Sequence, residues 1–516
     1  MNAVIAVAPH AAEQKPSRDK TRLLDPLAIA AFAAAVSLAG AGRPSLWFDE
    51  AATISASANR SLGDMMRMLG HIDAVHGLYY LIMRGWFALF PATEFWSRAS
   101  SVLAVAGAAA GVVVLAKQFS TRAVALCAGT AFAIMPRTTW AGIETRSYAW
   151  SALAAVWLTV LLVAAARRNG PTLWIRYGLL MALSVLLNVY LVLLVLVHAA
   201  VVPRLAPTRS AVKRCAATSF AVIAAVTPFL VFVHGQIFQI GWISPLSWKT
   251  IRDVWVGQYF DYGVLFAIAA GMLIAAAGLT QARRRADLDD GTRRLLAVAL
   301  AWIVIPTGVI LVYSALFNPI YHPRYLYFTV PAMALVLGVC VVTVAGSPAL
   351  MTVVLLVLSA VAVPTVLYQR SPYAKSGMDY SQVADLITTH AAAGDCLVMD
   401  NTVRWKPGPI RPMISARPSA YAKLIDPGRG ASAASQGTLW DGHIAIWAVA
   451  DRISDCTVLW TVSEFDKTRP AHETGANLSP GPSFGDAPAY QVPHRLGFRL
   501  VERWQFNFAQ VLRSTR

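Results

Sequence analysis

Charged side chains are scarce in this sequence. Asp, Glu, Lys and Arg form 14% of its 516 residues, whereas hydrophobic residues form 57%. This composition excludes an ordinary soluble protein, which rarely carries so much apolar content. Several apolar runs, such as 179–202 and 295–316, are long enough to cross a bilayer. In lipid these runs must be helices, because every backbone polar group needs an internal partner. The sequence therefore predicts an α-helical polytopic membrane protein.

Acidic residues are especially few. The chain has 27 Asp and Glu against 44 Lys and Arg, which gives a formal net charge of +17. The basic residues cluster in every second loop between apolar runs, within 15–22, 117–122, 167–176, 204–214 and 283–294. The positive-inside rule places these loops, and with them the N-terminus, in the cytoplasm. Because topology explains the positive charge, we expect no nucleic-acid partner.

Cysteine is also rare, with five residues in the chain. Cys127, Cys215 and Cys340 fall inside apolar runs and are expected to be inert packing residues. Cys396 and Cys456 lie in the C-terminal part, where export to an oxidising compartment would permit a disulfide. The sequence leaves open whether these two cysteines pair. Since no Cys/His spacing resembles a zinc site, zinc binding is not predicted.

The apolar runs predict about eleven membrane spans. Their bounds are 25–43, 97–116, 121–136, 148–166, 173–187, 190–204, 215–233, 262–281, 294–316, 326–345 and 350–368. The run 173–204 is interpreted as two short helices, because Asn188 and Tyr190 interrupt it and basic residues stand at both ends. The segment before the first span lacks a small-residue cleavage site, which indicates a retained helix. An odd number of spans places the C-terminus outside the plasma membrane.

Three regions follow from this topology. They are a cytoplasmic tail (1–24), a transmembrane domain (25–368) with a long first exoplasmic loop (44–96), and a small extracytoplasmic α/β domain (369–516). Within the first loop, the stretch from Leu78 to Phe87 has the spacing of an amphipathic helix. In the last region we predict a helix over 377–390, strands over 396–400, 443–449, 456–461 and 498–504, and a loop over 462–496.

Polar side chains that are able to take part in catalysis collect on the predicted exoplasmic side. Asp49 and Glu50 follow the first span, where two adjacent carboxylates are costly near lipid. This cost favours a chemical site over an interfacial loop with two charges. The candidate site residues are Asp49, Glu50, Asp73, His76, Glu144, Arg146, Tyr321, His322, Arg324 and Tyr325. Their shared side suits a reaction between a lipid-borne group and a molecule that arrives from outside.

Three motifs carry a resemblance to a known family. Trp47-Phe48-Asp49-Glu50 resembles the Asp-Glu motif of the GT-C superfamily, whose integral-membrane glycosyltransferases use polyprenyl-phosphate sugars as donors. Glu144-Thr145-Arg146-Ser147-Tyr148 resembles a Glu-x-Arg-x-Tyr segment of bacterial members related to protein O-mannosyltransferases and the aminoarabinose transferase. Pro323-Arg324-Tyr325-Leu326 before a late span, followed by a small soluble domain, is similar to the same group. The resemblance covers about residues 25–368, and the Ala- and Arg-rich composition points to its actinobacterial branch.

The chemistry of such a transfer assigns roles to two groups of residues. Asp49 is the candidate general base, a role that contributes on the order of 10²–10⁴-fold to rate. Glu50 points about 100° away on a helix and would orient the site or support a metal. Arg324 matches phosphate with its planar fork, and hydrogen bonds can come from Tyr321, His322 and Tyr325. The alternative for Arg324 is an interfacial arginine that extends towards water.

The remaining candidates have two interpretations each. Glu144 and Arg146 form either a structural ion pair or substrate contacts. Asp73, near His71 and His76, can reach the acceptor or a divalent cation, although a surface role for each histidine is the alternative. Some superfamily members need a metal and others do not. This sequence shows no clear ligand set, so no metal site is predicted and a divalent cation is left open.

The resemblance implies an inverting glycosyltransferase. It would move a sugar, with mannose ranked first and arabinofuranose second, from a polyprenyl-phosphate donor to an extracytoplasmic acceptor hydroxyl. The acceptor is a glycolipid, a polysaccharide or a secreted protein. One alternative is a transporter or flippase of a lipid-linked sugar, which would place charges around a midplane cavity. Another is a non-catalytic subunit of an envelope assembly.

Overall fold

A computed structural model describes residues 21–206, 208–284, 288–402 and 411–516. Most of the predicted cytoplasmic tail, residues 1–20, lies outside the described residues, as do residues 285–287 of one predicted cytoplasmic loop. The helices up to residue 369 are α1 (Thr21–Leu38), α2 (Phe48–Ser57), α3 (Leu62–His71), α4 (Gly77–Phe87), α5 (Glu94–Lys117), α6 (Arg122–Ile134), α7 (Pro136–Ala141), α8 (Tyr148–Arg168), α9 (Pro171–Leu187), α10 (Leu193–Leu205), α11 (Arg209–His234), α12 (Lys249–Arg252), α13 (Gln258–Phe260), α14 (Val264–Arg284), α15 (Asp290–Leu316), α16 (Val330–Ala345) and α17 (Pro348–Gln369).

Each predicted span corresponds to a helix, so the prediction of a polytopic helical membrane protein is confirmed. Seven helices of the described chain are long and apolar enough to cross a membrane, and four shorter apolar helices accompany them. The interrupted run at 173–204 forms two helices, α9 and α10. The break lies at Asn188, whose side chain accepts a hydrogen bond from the Tyr190 backbone N–H at 3.1 Å and so replaces the helical pattern.

The first loop is helical along much of its length. Its helices α2, α3 and α4 share a buried cluster that includes Met65, Met68, Tyr79 and Met83. The predicted amphipathic helix is present as α4. The Asp-Glu pair does not close α1, as the motif implied, but lies in the first turn of α2. Pro44 stands between these helices and cannot continue the first one.

After α17 the chain forms shorter elements. The helices are α18 (Tyr380–His390), α19 (Arg411–Ala416), α20 (Pro418–Tyr421), α21 (Ala433–Gln436), α22 (Ala450–Ser454), α23 (Pro482–Gly485) and α24 (Pro488–Arg495). The strands are β1 (Cys396–Met399), β2 (Val458–Glu464), β3 (His472–Thr474), β4 (Arg499–Gln505) and β5 (Ala509–Thr515). They form one sheet in the order β1-β2-β5-β4-β3, in which only the β1–β2 pair is parallel among the described strands.

The strand predictions were partly wrong. The stretch 443–449 contains a single bridge at His443 and a tight helical turn over Ile446–Val449. Its buried residues, Ile446 and Val449, have a spacing of three rather than the two of a strand. The predicted loop 462–496 contains β3 and α24, and β5 was not predicted. Cys396 and Cys456 do form a disulfide, across a Cα–Cα distance of 6.0 Å.

Candidate active site

A large cavity opens between the helix bundle, the first loop (44–96) and residues 369–516, which we call the C-terminal segment. Its volume is about 1150 Å³. It is lined by the start of α2, the turn before α4, the start of α8, the segment 233–242 and the turn before α16. Seven predicted site residues line it: Asp49, Asp73, His76, Arg146, His322, Arg324 and Tyr325. The structure thus brings together side chains that are more than 270 residues apart in sequence, such as Asp49 and Arg324.

Asp49 lies between two arginines. Its Oδ2 is 3.1 Å from Arg324 Nη1, and its Oδ1 is 3.4 Å from Arg146 Nη2. Burial raises the pKa of this carboxyl, but the Arg324 and Arg146 guanidiniums outweigh burial and hold the pKa below its usual range. Asp49 is therefore ionised at neutral pH. It lines the cavity and can accept a hydrogen bond from a molecule bound there.

Arg324 is held in place by aromatic rings. Its guanidinium carbon lies 5.4 Å from the ring centroids of both Trp47 and Trp242 and 5.6 Å from that of Tyr325. Its side chain is 14% exposed, so it does not extend towards water as an interfacial arginine would. The buried Nε makes no hydrogen bond to any described residue. A donor of Arg324 therefore remains available to an anionic ligand.

A second chain of contacts runs from Arg146 to Asp73. Arg146 Nη1 donates a hydrogen bond to the Tyr80 hydroxyl at 2.9 Å, and this hydroxyl donates to Asp73 Oδ2 at 2.7 Å. Asp73 has a left-handed backbone with φ 61°. The strained turn is supported by Gln239, whose Oε1 accepts a hydrogen bond from the Asp73 backbone N–H at 3.1 Å.

Two histidines that line the cavity, His76 and His322, are neutral at physiological pH. Burial, together with the nearby positive charge of Arg146, lowers the pKa of His76 to about 4. Burial and Arg324 similarly lower the pKa of His322 to about 3. In both rings Nδ1 is buried without a hydrogen-bond partner among the described residues. His71, which the sequence placed near Asp73, does not line the cavity and is exposed.

Glu50, which the sequence placed among the candidate site residues beside Asp49, does not line this cavity. Its side chain is 0% exposed and pairs with Arg98, whose Nη2 lies 2.6 Å from Oε2 and whose Nε lies 2.8 Å from Oε1. Oε1 also accepts hydrogen bonds from the backbone N–H and the hydroxyl of Thr145, at 3.1 and 3.2 Å. These contacts use both carboxylate oxygens. Glu50 therefore anchors α2 and the start of α8, while Asp49 points into the cavity.

Of the two alternatives for Glu144 and Arg146, the ion pair between them does not form, because each has another partner. Glu144 is fully buried, pairs with Lys375 and accepts a hydrogen bond from Trp47 Nε1 at 2.8 Å. Burial raises the pKa of Glu144 despite the opposing charge of Lys375. Tyr321 is buried away from the cavity, where its hydroxyl donates to Gln258 Oε1 at 3.3 Å.

Sequence reasoning missed several residues at the site. Lys375 follows the last span, and a basic residue on the predicted exoplasmic side is the signal that could have identified it. Leu439 and Trp440 line the cavity from the C-terminal segment, and no pattern in the sequence marks them. In the part of the chain that the structure describes, no three His, Cys, Asp or Glu side chains are grouped as metal ligands.

Comparisons with known proteins give matches among solved structures. No protein-family model and no curated protein sequence matches this chain. ArnT from Cupriavidus metallidurans bound to undecaprenyl phosphate has a TM-score of 0.50 at 12% sequence identity, and the match covers 94% of this chain and 97% of ArnT. The apo state of ArnT gives a TM-score of 0.52 at 11% identity, with the same coverage.

The oligosaccharyltransferase of Archaeoglobus fulgidus in the apo form matches with a TM-score of 0.45 at 12% identity, covering 87% of this chain and 70% of that chain. At such identities the ArnT match establishes the fold alone. Over nearly its whole length, the chain is therefore similar in fold to ArnT, a likeness that the sequence motifs predicted.

Proposed function

We propose that this protein is an inverting glycosyltransferase that uses a polyprenyl-phosphate sugar as donor. The observation that carries the proposal is the ionised Asp49 carboxylate, which faces the cavity between Arg324 and Arg146. The shared fold supports it, because ArnT has been solved with undecaprenyl phosphate bound. Mannose is our first candidate sugar and arabinofuranose the second.

In the proposed reaction Asp49 is the general base. The acceptor hydroxyl oxygen attacks the anomeric carbon while the bond from that carbon to the phosphate oxygen breaks. The hydroxyl proton moves to an oxygen of Asp49, and the lipid phosphate leaves with the bonding electrons. A single displacement of this kind inverts the anomeric centre. It needs one carboxylate near the reacting carbon, which agrees with Glu50 being buried elsewhere.

Arg324 is the proposed ligand of the leaving phosphate. It borders Asp49 and has an unpartnered Nε, so it can bind the phosphate while remaining close to the base. Preorganised cations aimed at developing negative charge are among the largest contributions to catalysis. His322 and Tyr325 line the cavity beside Arg324 and can donate further hydrogen bonds. The neutral state of His322 makes it a donor without a full charge.

The rest of the cavity suits the lipid part of the donor. Its walls away from Asp49 are apolar and include Leu193, Leu230, Val233 and Ile310, which lie on the spans α10, α11 and α15. A polyprenyl chain gains free energy by covering such surface. We accordingly propose that the lipid enters between these helices from the bilayer.

The proposal includes a topology. The cavity opens on the extracytoplasmic side of the plasma membrane, with residues 1–24 in the cytoplasm, the catalytic helices within 25–368 and an extracytoplasmic domain over 369–516. The distribution of basic loops and the disulfide after the last span support this orientation.

Sugar transfer in a defined membrane tests the proposal. The full chain is purified into lipid nanodiscs and given labelled polyprenyl-phosphate mannose or polyprenyl-phosphate arabinofuranose with glycoside and peptide acceptors. We expect transfer by the wild type and a loss of at least about 10²-fold in Asp49→Asn. The matched control is Asp64→Asn, since Asp64 lies in the same loop outside the cavity. Equal transfer by Asp49→Asn would remove Asp49 as base, and transbilayer movement of the donor without transfer would favour the flippase.

A further inference from the structure

The loop 430–442 of the C-terminal segment reaches into the cavity. Its ends are joined because the Gly430 backbone N–H donates to the Gly442 carbonyl at 2.9 Å. Arg429 and Asp441 add an ion pair of 2.7 Å at the same place. The Asp441 carboxylate also accepts the Ala433 backbone N–H at 2.8 Å. The loop therefore has a shape defined by its own contacts rather than by a covering partner.

The tip of this loop is fastened to the first loop beside Asp49. The carbonyl of Leu439 accepts hydrogen bonds from Ser55 Oγ at 2.6 Å and from Arg60 Nη2 at 2.9 Å. Arg60 is 8% exposed, and Leu439 packs in the buried cluster of α2, α3 and α4. Two donors on one buried carbonyl fix the position of the next residue, Trp440. The C-terminal segment is thus a wall of the cavity.

Trp440 forms an aromatic surface next to the proposed base. Its ring centroid lies 5.4 Å from that of Phe48, which directly precedes Asp49, and both rings line the cavity. Both side chains are half-buried, so their faces remain accessible. The indole N–H of Trp440 makes no hydrogen bond to any described residue. Asp73, on the same cavity, uses only Oδ2 in its bond to Tyr80, which leaves Oδ1 as an acceptor.

Such a combination fits a sugar ring. The C–H groups of a pyranose or furanose face carry partial positive charge and pack against the negative face of an aromatic ring. The hydroxyl groups at the ring edge need acceptors such as the free oxygen of Asp73 and donors such as the indole N–H. A Ser or Thr side chain in a peptide would present a single hydroxyl and no ring for these surfaces.

We propose that Trp440, with Phe48, forms the acceptor subsite and that the acceptor presents a saccharide ring there, an inference that rests on the proposed function for its role in transfer. Asp49, the proposed base, directly follows Phe48 on α2 and so adjoins this subsite, and Arg324 forms its ion pair with the same carboxylate. Trp440 is then a specificity-determining residue that the C-terminal segment supplies to the catalytic helices.

Direct saccharide binding tests the proposal without a donor. Saturation-transfer difference NMR is recorded on the full chain in nanodiscs with mannobiose, galactobiose and cellobiose. We expect binding of at least one disaccharide, an affinity lowered about five- to tenfold in Trp440→Ala, and a smaller loss in Trp440→Phe. The matched control is Trp447→Ala, which removes a 69% exposed tryptophan of the same segment outside the cavity.

The outcomes separate this inference from the proposed function. Saccharide binding that depends on Trp440 in a protein that transfers no sugar would reject the transferase and keep the subsite. Sugar transfer to a Ser/Thr peptide with no saccharide binding would keep the transferase and overturn the subsite. If wild type binds none of the three disaccharides, or if Trp440→Ala and Trp447→Ala bind them equally, the subsite is also overturned.

Discussion

The ion pair between Glu50 and Arg98 offers a demanding test of how the site is supported. Both side chains are 0% exposed. Besides two contacts with Glu50, Arg98 donates to the backbone carbonyls of Ala41, Pro44 and Ser45 at 2.8, 2.9 and 3.0 Å. These carbonyls belong to the connection between α1 and α2. Because Arg98 lies on α5, the pair ties α5 to the helix that carries Asp49 and to the connection that precedes it.

Removing one partner of this pair leaves a buried charge without compensation. Such a change typically costs about 3–5 kcal/mol, and we expect Glu50→Ala and Arg98→Met each to lower the free energy of unfolding by this amount. Arg98→Met should lie at the upper end, because three carbonyls also lose their donor. In the double variant neither charge of this pair remains to be left without its partner, so its cost should be about 2–3 kcal/mol less than the sum of the single costs.

Reversible unfolding of the full chain in mixed micelles, followed by tryptophan fluorescence, measures these differences. The matched cycle uses the surface pair Arg67–Asp64, whose side chains are 52% and 28% exposed. Its coupling should be below about 1 kcal/mol. A coupling between Glu50 and Arg98 no larger than that of the surface pair would refute the claim that this buried pair holds α2 in place.

Three further predictions concern charge and covalent links. Arg324→Met should lower kcat/KM by at least about 10²-fold and shift the acid limb of the pH–rate profile upward, since loss of this cation raises the pKa of Asp49; an unmoved limb would contradict the pairing. The pKa of His76 is lowered from 6.5 to about 4, so below pH 6.5 the unfolded chain binds a proton that the folded chain does not. Stability should therefore fall between pH 6.5 and 4, by less than about 1.4 kcal/mol per pH unit for this half-buried ring, and thermal unfolding of His76→Gln should show a weaker pH dependence. Replacing Cys396 and Cys456 by Ala removes a link across 60 residues and should cost about 4 kcal/mol, provided that peptide mapping of the unreduced wild type finds the cross-linked pair.

The spans were predictable because lipid allows few choices. An apolar run of sufficient length in a bilayer must be helical, and a polar interruption such as Asn188 ends a helix there. The C-terminal elements obey weaker rules. In 443–449 an apolar stretch of β-favouring residues forms a turn instead, because burial of Ile446 and Val449 against the neighbouring apolar cluster requires a spacing of three. Such a tertiary preference cannot be read from local pattern.

Which residues belong to the site was easier to predict from the sequence than which of their side chains form ion pairs. Motif order brought Asp49, Arg146 and Arg324 to one side, and the structure places all three on one cavity. The partners were not predictable, because Glu144 pairs with Lys375 across 231 residues and not with its near neighbour. Sequence spacing constrains contacts within a helix, whereas contacts between distant segments depend on packing that spacing does not encode.

The ion pairs explain why the adjacent carboxylates of Asp49 and Glu50 have different roles. Residues next to each other on a helix point about 100° apart, so Glu50 is directed at Arg98 inside the protein while Asp49 is directed at the cavity. Asp49 keeps its place between Arg324 and Arg146 only if α2, the helix that carries it, is held firmly. Glu50 does this through its contacts with Arg98 on α5 and with Thr145 just before α8. The acidic pair is thus one structural support and one carboxylate that we propose as the reacting group.

The C-terminal segment, which follows the last span, extends this support to Arg324, the proposed ligand of the phosphate. Lys375 pairs with Glu144, Glu144 accepts the indole N–H of Trp47, and the Trp47 ring lies against Arg324. Without Lys375, Glu144 would be a buried carboxylate that lacks a counter-ion and stands near the like charge of Asp49. The position of Arg324, and through it the charge state of Asp49, therefore depends on a residue beyond the helix bundle. It follows that the C-terminal segment and the spans together hold the site that we propose as catalytic.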